Sequence, residues 1–110
     1  MLLLIIDMQR DFLEPGGFGH MLRNDVMRLT SAVDPCRRLL GYAQAVGMKV
    51  IHTREGHRPD LSDLYPYKGA RPAGCGKDGN DDGKVVALIG TAGPRGRIMV
   101  RGEVGHKIIP

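Results

Sequence analysis

The stretch LLLII at residues 2–6, stopping at Asp7, constrains this chain more than any other feature. An unbroken aliphatic run this short reads as a strand buried on both faces, as parallel sheets covered by helices require. Parallel neighbours cannot be joined by a tight hairpin and need a crossover, usually a helix. The residues that follow predict one. Asp34 is expected to cap the free amides of a first turn, with Pro35 at the first helical position, where its missing N–H costs nothing. Val33, Cys36, Leu39, Leu40, Ala43 and Val46 recur at helical spacing and predict one buried face. Gly47 suits the end of the helix. MKVIHT, residues 48–53, then reads as a second buried strand, with His52 a hydrogen-bonded core histidine. Residues 25–32 fit either an upstream extension of the helix or a separate turn.

Strand, helix and strand make a right-handed βαβ unit, so the carboxyl ends of both strands open on one edge of the sheet. Asp7 and the loop REGHRPD, residues 54–60, thereby become neighbours. Ligands of open α/β sheets sit outside these strand ends, which makes Asp7 a candidate to take a proton from a nucleophile. The plainer alternative is a carboxylate that only caps its own loop.

The remaining sequence is more broken. EPGGFGH, residues 14–20, predicts a loop, and the glycine-rich run at 68–84 predicts a long surface loop. Residues 85–90 and 97–103 read as short extended segments around the breaker TAGPRG. With 110 residues, one domain spanning 1–110 is expected. The net charge of +4 raises nucleic acid as a partner, but the basic residues are scattered among acids and few aromatics are available for stacking. No nucleic-acid partner is expected. The opening apolar run is too short to span a bilayer and lacks the flanks of a signal peptide, so no membrane partner and a cytoplasmic location are expected. Cys36 and Cys75 fit no zinc spacing and are expected to be reduced thiols, Cys36 on the buried helix stripe.

LLIIDMQRDF, the glycine-rich loop after it, AVGMKVIHTREGHRPDL and GPRGRIMVRGEVGHKIIP together resemble the amino-terminal half of the isochorismatase-like cysteine hydrolases. Within that superfamily they are similar to the biuret hydrolase type of amidohydrolase. The resemblance implies an α/β fold, a partial three-layer Rossmann-like parallel sheet. It also implies hydrolysis of a C–N bond in a small amide, ureide or biuret-like substrate, with no cofactor, in a homo-oligomer. In the family a cysteine thiolate attacks the carbonyl, an aspartate moves the proton and a lysine steadies charge. Asp7 matches the aspartate, and Phe12 in DMQRDF matches an aromatic that lines the substrate pocket, although a loop anchor packed on the core would look the same. Gln9 and Asp11 are expected to shape the turn by hydrogen bonding.

The family's lysine and cysteine motifs have no counterpart up to Pro110, so the polypeptide is expected to be a catalytically incomplete part of such a domain. Cys75, in PAGCGKDG, lacks the fixed setting a nucleophile needs. A non-catalytic remnant or interaction module of the same half-fold is the alternative. Nicotinamidase-like relatives hold a metal through an acid, a histidine two residues on and a second histidine. Glu55 and His57 mimic the first pair, but Ile98 stands where the third ligand would be, so no metal is expected and His57 becomes a candidate substrate contact.

Overall fold

The computed structural model describes residues 1–65 and 89–110. The expected loop at 68–84, Cys75 within it, and most of the extended segment at 85–90 lie outside the described residues.

Strand β1, Leu2–Ile5, pairs in parallel with β2, Lys49–His52, with Leu2 opposite Lys49 and Ile5 opposite His52. The ladder continues past the strand ends through the Thr53 amide on the Ile5 carbonyl, 3.0 Å, and the Asp7 amide on the Thr53 carbonyl, 3.3 Å. Between the strands run α1 (Arg10–Leu13), α2 (Phe18–Met21), α3 (Val26–Thr30) and the crossover α4 (Val33–Ala45). Two further strands, β3 (Ala92–Gly93) and β4 (Gly96–Arg97), form a small antiparallel hairpin. The fold is α/β, and among the described residues no helix is long and apolar enough to cross a membrane.

Residues 25–32 resolve into a separate helix: the Asp25 carboxylate accepts from the Arg28 amide, 3.0 Å, and caps α3. The Thr30 hydroxyl binds the Leu13 carbonyl, 2.6 Å, and ties α3 to the end of α1. Helix α4 begins two residues earlier than the Asp34 cap implies. Ala32 stands at the cap position, and Asp34 lies inside the first turn, where its charge favours the positive end of the helix dipole. Pro35 is tolerated there because the first four amides have no intrahelical partner. At the other end Gly47 takes φ +66, and Met48 and Gly47 donate to the Ala43 and Gln44 carbonyls, 2.8 and 3.2 Å. This is a Schellman closure, which needs the left-handed conformation glycine adopts at little cost.

The buried stripe of α4 is narrower than its apolar periodicity. Val33 and Ala43 are buried and Cys36 and Leu40 half-buried, but Leu39 and Val46 stay more than half exposed. At 3.6 residues per turn the first four fall within an arc of about 80°, and the other two lie on its flank. Cys36 is therefore not a core residue. It borders a small apolar cavity of about 40 Å³ with Ile5, Met8, Leu40 and His52. His52 is exposed rather than a core histidine, because it ends β2 at the rim of the layer under α4.

β1 also departs from burial on two faces. Ile5 is buried and Leu3 half-buried under α4, while Leu2, Leu4 and Ile6 on the opposite face are exposed, beside Ile51 of β2. Among the described residues, helices cover one face of this sheet only. A second apolar cluster forms from Ile89, Ile98 and Met99, with Phe12, Phe18 and Leu61 against it. Burying a side chain such as Ile98 stabilises by about 1.5–3 kcal/mol.

The expected extended segment at 97–103 is mostly turn. Arg97 ends β4, Met99 takes φ +56, and Val100 makes an isolated bridge to His57. The chain then returns to the carboxyl edge of the sheet. Ile109, Arg10 and Asp11 exchange backbone bonds with Met8, Lys107 and Gly105, 2.9–3.0 Å, so residues 105–109 run antiparallel beside 8–11.

Candidate functional site

β1 delivers Asp7 to the carboxyl edge of the sheet, half-buried, with its backbone at φ +51. Aspartate tolerates this left-handed region better than most residues, yet the conformation is strained and must be held from outside. Thr53, at the end of β2, holds it. Its hydroxyl donates to Asp7 Oδ1, 2.7 Å, and accepts from the Asp7 amide, 3.1 Å. Among the described residues this leaves Oδ2 without a hydrogen-bond partner. The carboxylate is thus fixed by one oxygen and open at the other, an arrangement suited to moving a proton.

The residues after Asp7 build the wall behind it. Gln9 is fully buried: its amide nitrogen donates to the Glu55 and His106 carbonyls, 2.8 and 3.1 Å, and its oxygen accepts from the Glu55 amide, 2.6 Å. One side chain therefore pins the loop after β2 to the returning segment. Asp11, 1% exposed, accepts from the Met99 amide through Oδ2, 2.8 Å. Its other side lies against Gly105, where any Cβ would run into the carboxylate. The side-chain bonds of Gln9 and Asp11 do not close their own turn as expected; they reach across the chain to residues 55, 99 and 106.

Met99 passes the connection on, because its carbonyl accepts from the His57 amide, 2.8 Å. His57 is buried, and its Nδ1 lies 3.4 Å from Asp63 Oδ1, while Nε2 is buried with no hydrogen-bond partner among the described residues. Arg101 closes this corner, donating to Asp63 Oδ2, 3.0 Å, and to the Gly56 carbonyl, 3.1 Å. Phe12 packs against the Ile89, Ile98 and Met99 cluster, edge-on to Phe18 with ring centres 5.9 Å apart.

His106, 7% exposed, lies with its ring against Gly56, where a Cβ would collide with it. Burial pushes its pKa below the ordinary 6.5, with the Arg54 and Arg101 charges adding to the effect and Asp11 opposing it.

Ile98 is 1% exposed within the apolar cluster and offers no donor beside Glu55 and His57. Among the described residues no group of three histidine, cysteine, aspartate or glutamate side chains is placed to hold a metal ion.

Thr53, Asp63 and Arg101 carry much of this geometry without standing out in the sequence. Only Thr53 had a usable signal: the parallel pairing that sets Asp7 beside the loop after β2 also sets it beside position 53.

The family model described as Isochorismatase domain matches residues 1–95. The chain belongs to the isochorismatase domain family.

Proposed function

We propose that this chain forms the Asp7 side of an amidohydrolase site that cleaves the C–N bond of a small amide, ureide or biuret-like compound. The observation that carries this reading is the Asp7 carboxylate, held at the carboxyl edge of the parallel pair by Thr53 and open at Oδ2. Asp7 takes the proton of an attacking thiol and returns it to the departing amine, which leaves the acyl group on sulfur. It then takes a proton from the water that attacks this thioester and returns it to the departing thiolate, releasing the acid. Phe12 and His57 border the substrate. The thiol is not Cys36, which borders the apolar cavity under α4. Nucleophile and lysine come from residues other than those described, and no cofactor is required.

The sheet, covered by helices on one face, corresponds to the amino-terminal part of a three-layer Rossmann-like domain, and the protein works in the cytoplasm as a homo-oligomer on a small-molecule substrate. The exposed apolar face of Leu2, Leu4, Ile6 and Ile51 favours a second reading, a non-catalytic module of the same half-fold that docks on a partner. Ammonia release decides between them. The protein expressed from its full reading frame is assayed with biuret and a panel of primary amides and ureides, with and without a chelator. The proposal expects chelator-insensitive release from at least one of them. No release from any member of the panel would favour the non-catalytic module.

A further inference from the structure

The His57 imidazole has two unlike nitrogens. Its side chain is 10% exposed, so both lie in a setting where a lost hydrogen bond is costly. Nδ1 faces Asp63 Oδ1 at 3.4 Å, and Nε2 is buried without a partner among the described residues. Buried polar atoms of this kind usually find a partner, so Nε2 has an unused capacity for one hydrogen bond.

Asp63 is itself anchored. Oδ1 accepts from the Arg58 amide, 2.9 Å, and Oδ2 from Arg101 Nη2, 3.0 Å. Arg101 also grips the loop it faces, through Nε on the Gly56 carbonyl and its own amide on the His57 carbonyl, 3.1 and 2.9 Å. The Arg58 amide, helped by the Arg101 charge, holds the Asp63 carboxyl below the usual 3.8, so it is ionised at neutral pH. A carboxylate accepts hydrogen bonds and repels a lone pair. The nitrogen facing it therefore carries the proton, which in the neutral ring leaves the lone pair on Nε2.

We propose that Asp63 is a positioning residue that fixes His57 in the Nδ1–H tautomer, so that Nε2 accepts an N–H group of the amide or ureide substrate. This rests on the proposed function for its substrate class, and it adds a selection rule. A substrate must offer an N–H to this nitrogen, and an ester or a fully alkylated amide leaves the buried acceptor unpaired, a mismatch that strongly discriminates between otherwise similar molecules.

The test is long-range nitrogen–proton NMR on protein labelled in its histidine rings, which reports the protonation of each imidazole nitrogen directly. Wild-type protein without ligand is expected to show His57 protonated at Nδ1 and bare at Nε2. Asp63→Ala is expected to shift His57 toward a tautomer mixture and to weaken biuret binding about tenfold. Asp63→Asn, which keeps an acceptor for Nδ1, restores both, a rescue that a general loosening of the loop would not give. Biuret added to the wild type should move the Nε2 resonance.

An Nε2–H tautomer or an imidazolium in the wild type would overturn the inference, and this measurement needs no variant to fold. An unchanged tautomer in folded Asp63→Ala would overturn it too, as would stoichiometric binding of added Zn²⁺ at Nε2. An inverted tautomer with ammonia release intact would reject the positioning role alone. Failure of biuret to move Nε2, with no ammonia released from any amide, would reject the substrate class and the proposed function together.

Discussion

Asp7 combines a left-handed backbone with a carboxylate bonded through one oxygen, and both depend on Thr53. A hydrogen bond to a charged group contributes about 1.5–3 kcal/mol, and 1.4 kcal/mol is about tenfold in rate. Thr53→Val keeps the shape and removes the hydroxyl, so kcat for ammonia release should fall about tenfold or more with the fold intact. Thr53→Ser should stay close to wild type. Steady-state kinetics on the two variants checks this, and an unaffected Thr53→Val would mean that Thr53 serves stability alone. The position of Asp7 was legible because an aliphatic run ending in a charge marks a strand end. Its φ of +51 was not, since nothing in LLLIID distinguishes a strained aspartate from an extended one.

The elements that could be read from sequence were those whose stability is local. α4 shows its period and its terminal glycine, and β2 shows its β-branched run, so the βαβ order was available before any coordinates. The returning segment at 105–109 was not, because its pairing with residues 8–11 is long-range and VGHKI carries no strand pattern. Gln9 joins these parts. Gln9→Ala would remove the acceptor of the part-buried Glu55 amide and the donor to two carbonyls, and about 3 kcal/mol of stability should be lost in urea unfolding. Loss of less than about 0.5 kcal/mol, the usual scale of a surface substitution, would show that the staple is dispensable.

His106 makes the same junction pH-sensitive. Its folded pKa lies below the unfolded value of 6.5, so the unfolded chain takes up the proton first as pH falls. The stabilisation from keeping His106 neutral is complete above 6.5 and is lost as pH drops from there through the folded pKa. Stability measured between about pH 7.5 and 5.5 should decline, and His106→Gln should flatten that slope. Asp60 and Asp63, held below 3.8 chiefly by backbone amides, act only at more acid pH and leave this window clear. An equal slope in both proteins would remove His106 from the account.

At the scale of the whole molecule, the sheet face left uncovered among the described residues is expected to set the behaviour in solution. Leu2, Leu4, Ile6 and Ile51 form a contiguous apolar surface on a parallel pair, a type of sheet normally covered on both sides. Sedimentation velocity should show the 110-residue chain self-associating, with Leu4→Glu shifting it toward monomer. A wild-type chain that remains monomeric at every loading concentration would show that this face needs no cover from a second copy. The α/β class was legible from the alternation of elements, whereas the bare face was not, because an aliphatic strand looks the same whether one or both of its faces are covered. The central claim is that Asp7 moves the proton in amide hydrolysis, and its most direct measurement is ammonia release by Asp7→Asn in the protein expressed from its full reading frame. Asparagine keeps the Oδ1 bond to Thr53 and loses the proton-accepting oxygen, so kcat should fall by about 10²–10⁴ with the fold unchanged. An Asp7→Asn protein that releases ammonia at the wild-type rate would contradict the account.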